Sequence, residues 1–230
     1  MRLFAAAAAV CLASFAGAVT LTWNPTNVTS AQYREVSASS DFAFAFTYAS
    51  PNPISGNWKT LASIGAYKGG SYLGFSGDGV QRDLFRIQEA RNNPSDPYSY
   101  FLYSNLNSDT AANAALETST AQQRFIINKR GDTFTVYVNG QQVLTFVTDA
   151  SYAADTYRLY LDATGDGAGN DDGARTIAEA GLYDGALSDA QIKALSDPGT
   201  PFGAVPEPTA LALLALGVAG VALRRRLAAR

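Results

Sequence analysis

"QRFIINKRGDTFTVYVNGQQVLTFVTD", residues 123–149, holds three β-rich runs separated by Arg130-Gly131-Asp132 and by Asn139-Gly140. Asn-Gly is the strongest short hairpin signal, because both residues tolerate the positive φ that a type I′ turn demands. Gly-Asp between two strands is ordinary turn chemistry, which outweighs reading Arg-Gly-Asp as a cell-adhesion tripeptide. The stretch predicts a three-stranded meander.

Working outward, "DFAFAFTYAS" alternates Phe42, Phe44, Phe46 and Tyr48 with Ala43, Ala45 and Thr47. A period of two puts the large aromatics on one strand face and the small residues on the other. Such a row reads as a strand over an aromatic core, with a sugar-stacking platform as its functional alternative. Further β runs stand in "KTLASIGAY", "SYLGFSG", "LFRIQEA", "YSYFLYS", "YRLYLDA" and "RTIAEAGLY", with turn-rich spacers such as "ARNNPSDP" between them. Many short strands without a long helical pattern predict an all-β sandwich or barrel. "YDGALSDAQIKAL" is the exception. Ser188 is placed to cap a short helix, Gln191 to complete a capping box, and Leu187 with Ile192 to form a hydrophobic staple. The helix should run to about Leu195, ahead of Pro198-Gly199.

The two ends differ from the body. Arg2, the apolar "LFAAAAAVCLASF" and Ala16-Gly17-Ala18 form the pattern of an export signal over residues 1–18, with the mature chain starting near Val19. Cys11 lies inside that signal, so the mature chain has no cysteine and its stability must come from burial and hydrogen bonding. At the other end, residues 205–230 read "VPEPTALALLALGVAGVALRRRLAAR". The uncharged run 210–223 predicts a transmembrane helix that rises only about 20 Å, short against a hydrocarbon core of about 30 Å. Arg224, Arg225 and Arg226 would hold its far end on the cytoplasmic side and leave the body outside.

Pro206, Glu207 and Pro208, followed by a short apolar helix and the arginine cluster, resemble the PEP-CTERM sorting signal of Gram-negative bacteria. The resemblance implies export to a cell surface or exopolysaccharide setting, transient anchoring in the inner membrane, and cutting near Pro-Glu-Pro by an exosortase-type membrane protease.

Residues 19–204 have the length of one domain with a sizeable core. Of 17 Lys and Arg, five lie in the ends, leaving 12; of 20 Asp and Glu only Glu207 is lost, leaving 19 and a net charge near −7. An acidic body without a basic stripe excludes nucleic acid as a partner, since phosphate neutralisation needs clustered cations. The chain has no histidine, which removes the commonest general base, the usual zinc ligand and every Ser-His or Cys-His arrangement. Paired carboxylates of the glycosidase kind remain.

"FTVYVNGQQVL" and "TIAEAGLYDGALSDAQIKAL" resemble the C-terminal half of laminin-G-like, concanavalin-A-like jelly rolls. Tyr137, Asn139, Gly140, Ile177, Glu179, Tyr183, Ala186, Leu187, Ser188 and Ile192 fit that order, whereas Ala178 stands where bacterial members usually carry an acid. The resemblance implies two antiparallel sheets packed face to face, with glycan or protein partners and frequent calcium. It also brings in concanavalin-A-like hydrolases, but the Glu-x-Asp-x-x-Glu strand of those enzymes is missing.

"DATGDGAGNDDG" places Asp162, Asp166, Asn170, Asp171 and Asp172 on a glycine-rich loop. Calcium needs six to eight oxygens from flexible donors, so the loop is a candidate calcium site or else a solvated turn. Trp58, Tyr67, Tyr72, Tyr98 and Tyr100 flank or occupy loops and are candidates for stacking on sugars, with strand-surface packing as the alternative for each. The expected function is a non-catalytic carbohydrate-binding or adhesion module. A structural matrix component without a discrete ligand and a glycan hydrolase are the other readings.

Overall fold

The alternation that predicts strands is realised along most of the body, for which the computed structural model describes residues 19–28, 31–48, 59–73, 84–90, 99–104, 111–112, 122–148, 153–162 and 177–204. The body, Thr20–Val205, is one of two units into which the chain divides and is described by itself. In chain order its strands are β1 (Thr20–Trp23), β2 (Thr26–Val28), β3 (Gln32–Ser37), β4 (Phe42–Tyr48), β5 (Lys59–Lys68), β6 (Ser71–Leu73) and β7 (Phe85–Ala90). Then follow β8 (Ser99–Ser104), β9 (Ala111–Ala112), β10 (Gln123–Arg130), β11 (Thr133–Val138), β12 (Gln141–Val147), β13 (Thr156–Leu161) and β14 (Ile177–Asp184). Helix α1 (Asp189–Leu195) and a 3-10 turn (Phe202–Ala204) complete the body.

These strands form two seven-stranded antiparallel sheets. The first runs β1-β14-β4-β10-β11-β12 with β2 beside β14; the second runs β3-β13-β5-β7-β8-β9 with β6 beside β5. The predicted meander is β10-β11-β12, and Asn139 and Gly140 take φ of 48° and 79° in its second turn, the pair of positive values that a type I′ hairpin requires.

β4 explains how the sheets join. Phe42, Phe44, Phe46 and Tyr48 all point into the core. Phe46 stacks on Phe125 at 4.9 Å, and Phe134 stacks on Phe146 at 4.9 Å and 3°. Phe146 of the first sheet meets Phe85 of the second at 5.4 Å, and Phe134 meets Tyr157 edge-on at 5.6 Å. Each ring buried this way contributes about 1.5–3 kcal/mol relative to exposure. The second sheet supplies Ile64, Ala66, Leu159 and Leu161 from alternate positions.

Ala43, Ala45 and Thr47 face the other way and are nevertheless buried. The chain after β14 crosses this outer face of the first sheet. Asn128, level with Ala43, exchanges hydrogen bonds of 2.9 and 3.0 Å with the backbone of Leu187. Gly181, level with Ala45, admits Phe202 so closely that a Cβ there would stand 3.0 Å from its Cγ. α1 starts as its sequence demands: Ser188 Oγ accepts from the Gln191 N–H, and Gln191 Oε1 accepts from the Ser188 N–H at 2.9 Å. Leu187, Ile192, Leu195 and Phe202 of this strap are buried.

Candidate functional site

The outer face of the second sheet carries a different surface. β13 alternates strictly, with Tyr157, Leu159 and Leu161 inward and Thr156, Arg158 and Tyr160 outward. Register then fixes its neighbours. β3 sets Glu35 opposite Arg158 and Tyr33 opposite Tyr160; β5 sets Gly65 opposite Arg158 and Tyr67 opposite Thr156; β6 sets Tyr72 opposite Tyr67. Four strands thus bring four tyrosines, one arginine and one glutamate to a single patch.

Gly65 is the floor of that patch. A Cβ there would stand 3.1 Å from a Tyr67 ring carbon, 3.2 Å from one of Tyr72 and 3.4 Å from one of Tyr160. The missing side chain is what lets three rings converge over the backbone. Tyr67 and Tyr72 are 5.4 Å apart at 57°, and Tyr33 and Tyr160 are 5.4 Å apart at 37°. Tyr67 and Tyr160 are joined through their hydroxyls at 2.5 Å. Arg158 lies among the rings, 4.0 Å from the centre of Tyr67 and 5.4 Å from that of Tyr33, while its Nε donates to Glu35 Oε2 at 2.9 Å. Tyr33 stands outermost at 53% exposure.

The surroundings of the patch shift two of its titratable groups, Arg158 and Tyr160. The hydrogen bond to Glu35 raises the Arg158 pKa above its ordinary value, keeping the guanidinium charged. With side-chain exposures of 29% and 47% the pair is screened by solvent and contributes little stability; its effect is to fix the guanidinium between two rings. Burial, then the hydrogen bond with Tyr67, raises the Tyr160 phenol pKa. Chemically, the patch offers aromatic faces beside hydroxyl and guanidinium donors, a combination that suits a ligand with both C–H faces and hydroxyls.

Two of the five sugar-stacking candidates, Tyr67 and Tyr72, are brought together here as strand residues. Trp58 and Tyr98 lie outside the described residues; Tyr100 lies on β8, level with Glu89. Tyr33, Tyr160, Arg158, Glu35 and Gly65 were missed. The alternation in "YRLYLDA" carried the signal for Tyr160 and Arg158, whereas Tyr33 sits in a polar run without an obvious period.

Of the loop candidates for calcium, Asp162 is described and Asp166, Asn170, Asp171 and Asp172 are not. Asp162 is buried at the end of β13 with φ of 53°, and its N–H donates to the Leu61 carbonyl at 2.9 Å. Among the described residues no group of three metal-ligating side chains comes together. Pro206, Glu207, Pro208 and Arg224 to Arg226, with the signal at 1–18 and the apolar run 210–223, also lie outside them; within the described residues no helix is long and apolar enough to cross a membrane. A groove of about 450 Å³ runs between α1 and the β11–β12 hairpin, lined by Tyr137, Gln142, Asp189 and Lys193 among others. Gln142, Asp189 and Lys193 on its walls are exposed, and Tyr137 is half-buried.

Residues 204–226 match the family model described as the PEP-CTERM protein-sorting motif. The motif implies an exported protein. No curated protein matches the sequence. Among solved structures, the chain is similar to a Trypanosoma rangeli sialidase in complex with sialic acid, with a TM-score of 0.55 and 14% identity over 75% of this chain and 27% of the sialidase. It is also similar to the Ruminococcus gnavus IT-sialidase CBM40 bound to α2,3-sialyllactose, with a TM-score of 0.44 and 12% identity over 77% of this chain and 100% of that one. The chain thus spans only 27% of the sialidase's length, and the likeness to it is one of β-sandwich fold.

Proposed function

We propose that the protein is an exported surface or matrix component whose laminin-G-like, concanavalin-A-like jelly-roll body binds carbohydrate without cleaving it, and whose tail is processed by an exosortase-type protease. The observation that carries the binding role is the convergence of Tyr33, Tyr67, Tyr72 and Tyr160 over Gly65, with Arg158 held among them. Rigid aromatic anchors on strands lose little freedom on binding, and neighbouring donors supply direction. The patch spans β3, β13, β5 and β6. At about 4.8 Å between strands it is long enough for an extended oligosaccharide.

The reading is tested by titrating the purified exported protein with the exopolysaccharide of its producer, with neutral glycans and with sialylated glycans. The last are included because a similar structure was solved with sialic acid. Saturable binding that is lost in a Tyr33→Ala, Tyr160→Ala double variant of unchanged melting temperature supports it. Absence of saturable binding to all of them by the folded protein transfers the role to structural matrix.

Calcium is part of the same proposal, with Asp162 and its loop as the holder. The position supports it: a buried carboxylate at a left-handed backbone step stands where the chain leaves β13. A ligand bound only by the native state raises the melting temperature by mass action. Millimolar calcium should therefore raise it and chelator reverse the gain; equal values with both remove calcium.

A further inference from the structure

One buried cation holds the end of the body to the first sheet. Arg124, fully buried on β10, donates from Nη2 to the carbonyls of Pro198 and Thr200 at 2.9 Å each, and its guanidinium lies 3.9 Å from the centre of the Phe202 ring. Phe202 is held from two more sides. The Tyr183 hydroxyl donates to its carbonyl at 2.7 Å, and its N–H donates to Glu179 Oε1 at 3.2 Å. Asn139 fixes the arginine in turn, accepting the Arg124 N–H at 2.8 Å and donating its own N–H to the Arg124 carbonyl at 2.9 Å. Burial lowers the Arg124 pKa, while Glu179, Tyr183 and Asp197 oppose that shift. A buried charge persists only where partners compensate it, and here the hydrogen-bond acceptors are backbone carbonyls of the strap. Chain and cation therefore fix each other.

The sorting motif begins where this clamp ends. The match starts at residue 204, and Glu207 is the fifth residue after Phe202. Fully extended, that lead is at most about 17 Å.

We propose that Arg124 is a positioning residue for tail processing: by clamping the chain through Phe202 it leaves the processing protease only Gly203-Ala204-Val205 ahead of Pro206-Glu207-Pro208, and this short lead limits the rate. The proposal rests on the reading that the tail is cut near Pro-Glu-Pro. The cut is a hydrolysis in which the peptide C–N bond breaks, water's hydroxyl joins the acyl carbon and its proton goes to the leaving amine. A membrane protease must seat that peptide in its own cleft while a folded sandwich hangs on the lead. Added slack relieves the crowding at an entropic cost that grows only slowly with length.

The test is a pulse-chase of the full chain in a host carrying the sorting protease, following conversion of precursor to trimmed product by mass. The variants are a Gly-Ser insert of about six residues between Ala204 and Val205, Arg124→Met, the two combined, and Glu207→Ala. The insert and Arg124→Met should each speed trimming about threefold or more, a barrier change of about 0.65 kcal/mol or more, and the combination should run no faster than the insert alone. An insert that leaves trimming unchanged or slower overturns the proposal, and this arm decides even if Arg124→Met fails to fold. A combination that multiplies the two gains removes the role of Arg124, since it then acts through fold loosening rather than lead length. Normal trimming of Glu207→Ala, or no trimming of the unaltered chain, strikes the sorting reading itself.

Discussion

The Arg158 guanidinium stands 4.0 Å over the ring of Tyr67 while its Nε holds Glu35 at 2.9 Å. A cation over an aromatic face at a partly exposed site contributes about 0.5–1 kcal/mol, too little to explain the arrangement as a device for stability. What it secures is the direction of the rings around Gly65, and ring direction is what a stacking partner reads.

Tyr33 should separate binding from folding. At 53% exposure it supports little of the core, whereas a stacked ring contributes about 0.5–1.5 kcal/mol to a contact. Tyr33→Ala should weaken glycan binding roughly 2- to 13-fold and leave the melting temperature almost unchanged. Calorimetric titration beside thermal denaturation checks both halves.

Gly65→Val places methyl groups where three rings converge. Overpacking of this kind costs about 1–3 kcal/mol, equivalent to a fall of roughly 2–12 °C for a domain of this size. Displacement of Tyr67, Tyr72 and Tyr160 should also reduce binding more than Tyr33→Ala does. Binding equal to that of the unaltered protein would show that the patch is not the site.

Alkaline pH should loosen the body. The Tyr160 phenol is raised by burial and by its bond to Tyr67, and the Tyr183 phenol by burial, with Arg124 opposing. Their unfolded pKa is about 10. Above that value the unfolded chain releases these protons while the folded chain keeps them, so stability present below about pH 10 is lost as pH rises toward the folded values. Urea titrations from neutral to alkaline pH should show this fall, and Tyr183→Phe should reduce its slope.

Gly140 is constrained twice. Its φ is 79°, and a Cβ there would stand 2.5 Å from the Ser196 Cβ at the end of α1. Gly140→Ala should destabilise by about 1–3 kcal/mol through overpacking alone. The same change at Gly131, whose φ is 56° with no atom near the added Cβ, should be milder. Denaturant midpoints of the two variants measure the difference.

Much of the sandwich was legible because its inner residues obey a period of two. "FAFAFTY" and "YRLYL" became β4 and β13 with the large residues alternately inward, and Asn139-Gly140 marked its own turn. The strands β1, β2, β3 and β9 were not read. β3 is Gln-Tyr-Arg-Glu-Val-Ser with almost every side chain exposed; an edge strand is held by one neighbour's backbone and needs no apolar rhythm. Part of the candidate site escaped for the same reason. Tyr33 and Glu35 acquire meaning only from lying level with Tyr160 and Arg158, and register across strands distant in sequence is not written in either strand alone. Arg124 and Phe202 were opaque too, since nothing local in "QRF" announces a buried cation.

The order of the first sheet bears on how such a chain reaches its destination. Phe44 on β4 meets Ile127 on one side and Leu182 on the other, so the central strand waits for partners from the middle and the far end of the body. Loops that long make pairing late and slow. A chain leaving the cell from its N-terminus cannot finish this sheet until β14 has emerged, and until then it stays threadable. The sandwich closes only once β14 has crossed, when only the strap and tail remain to follow.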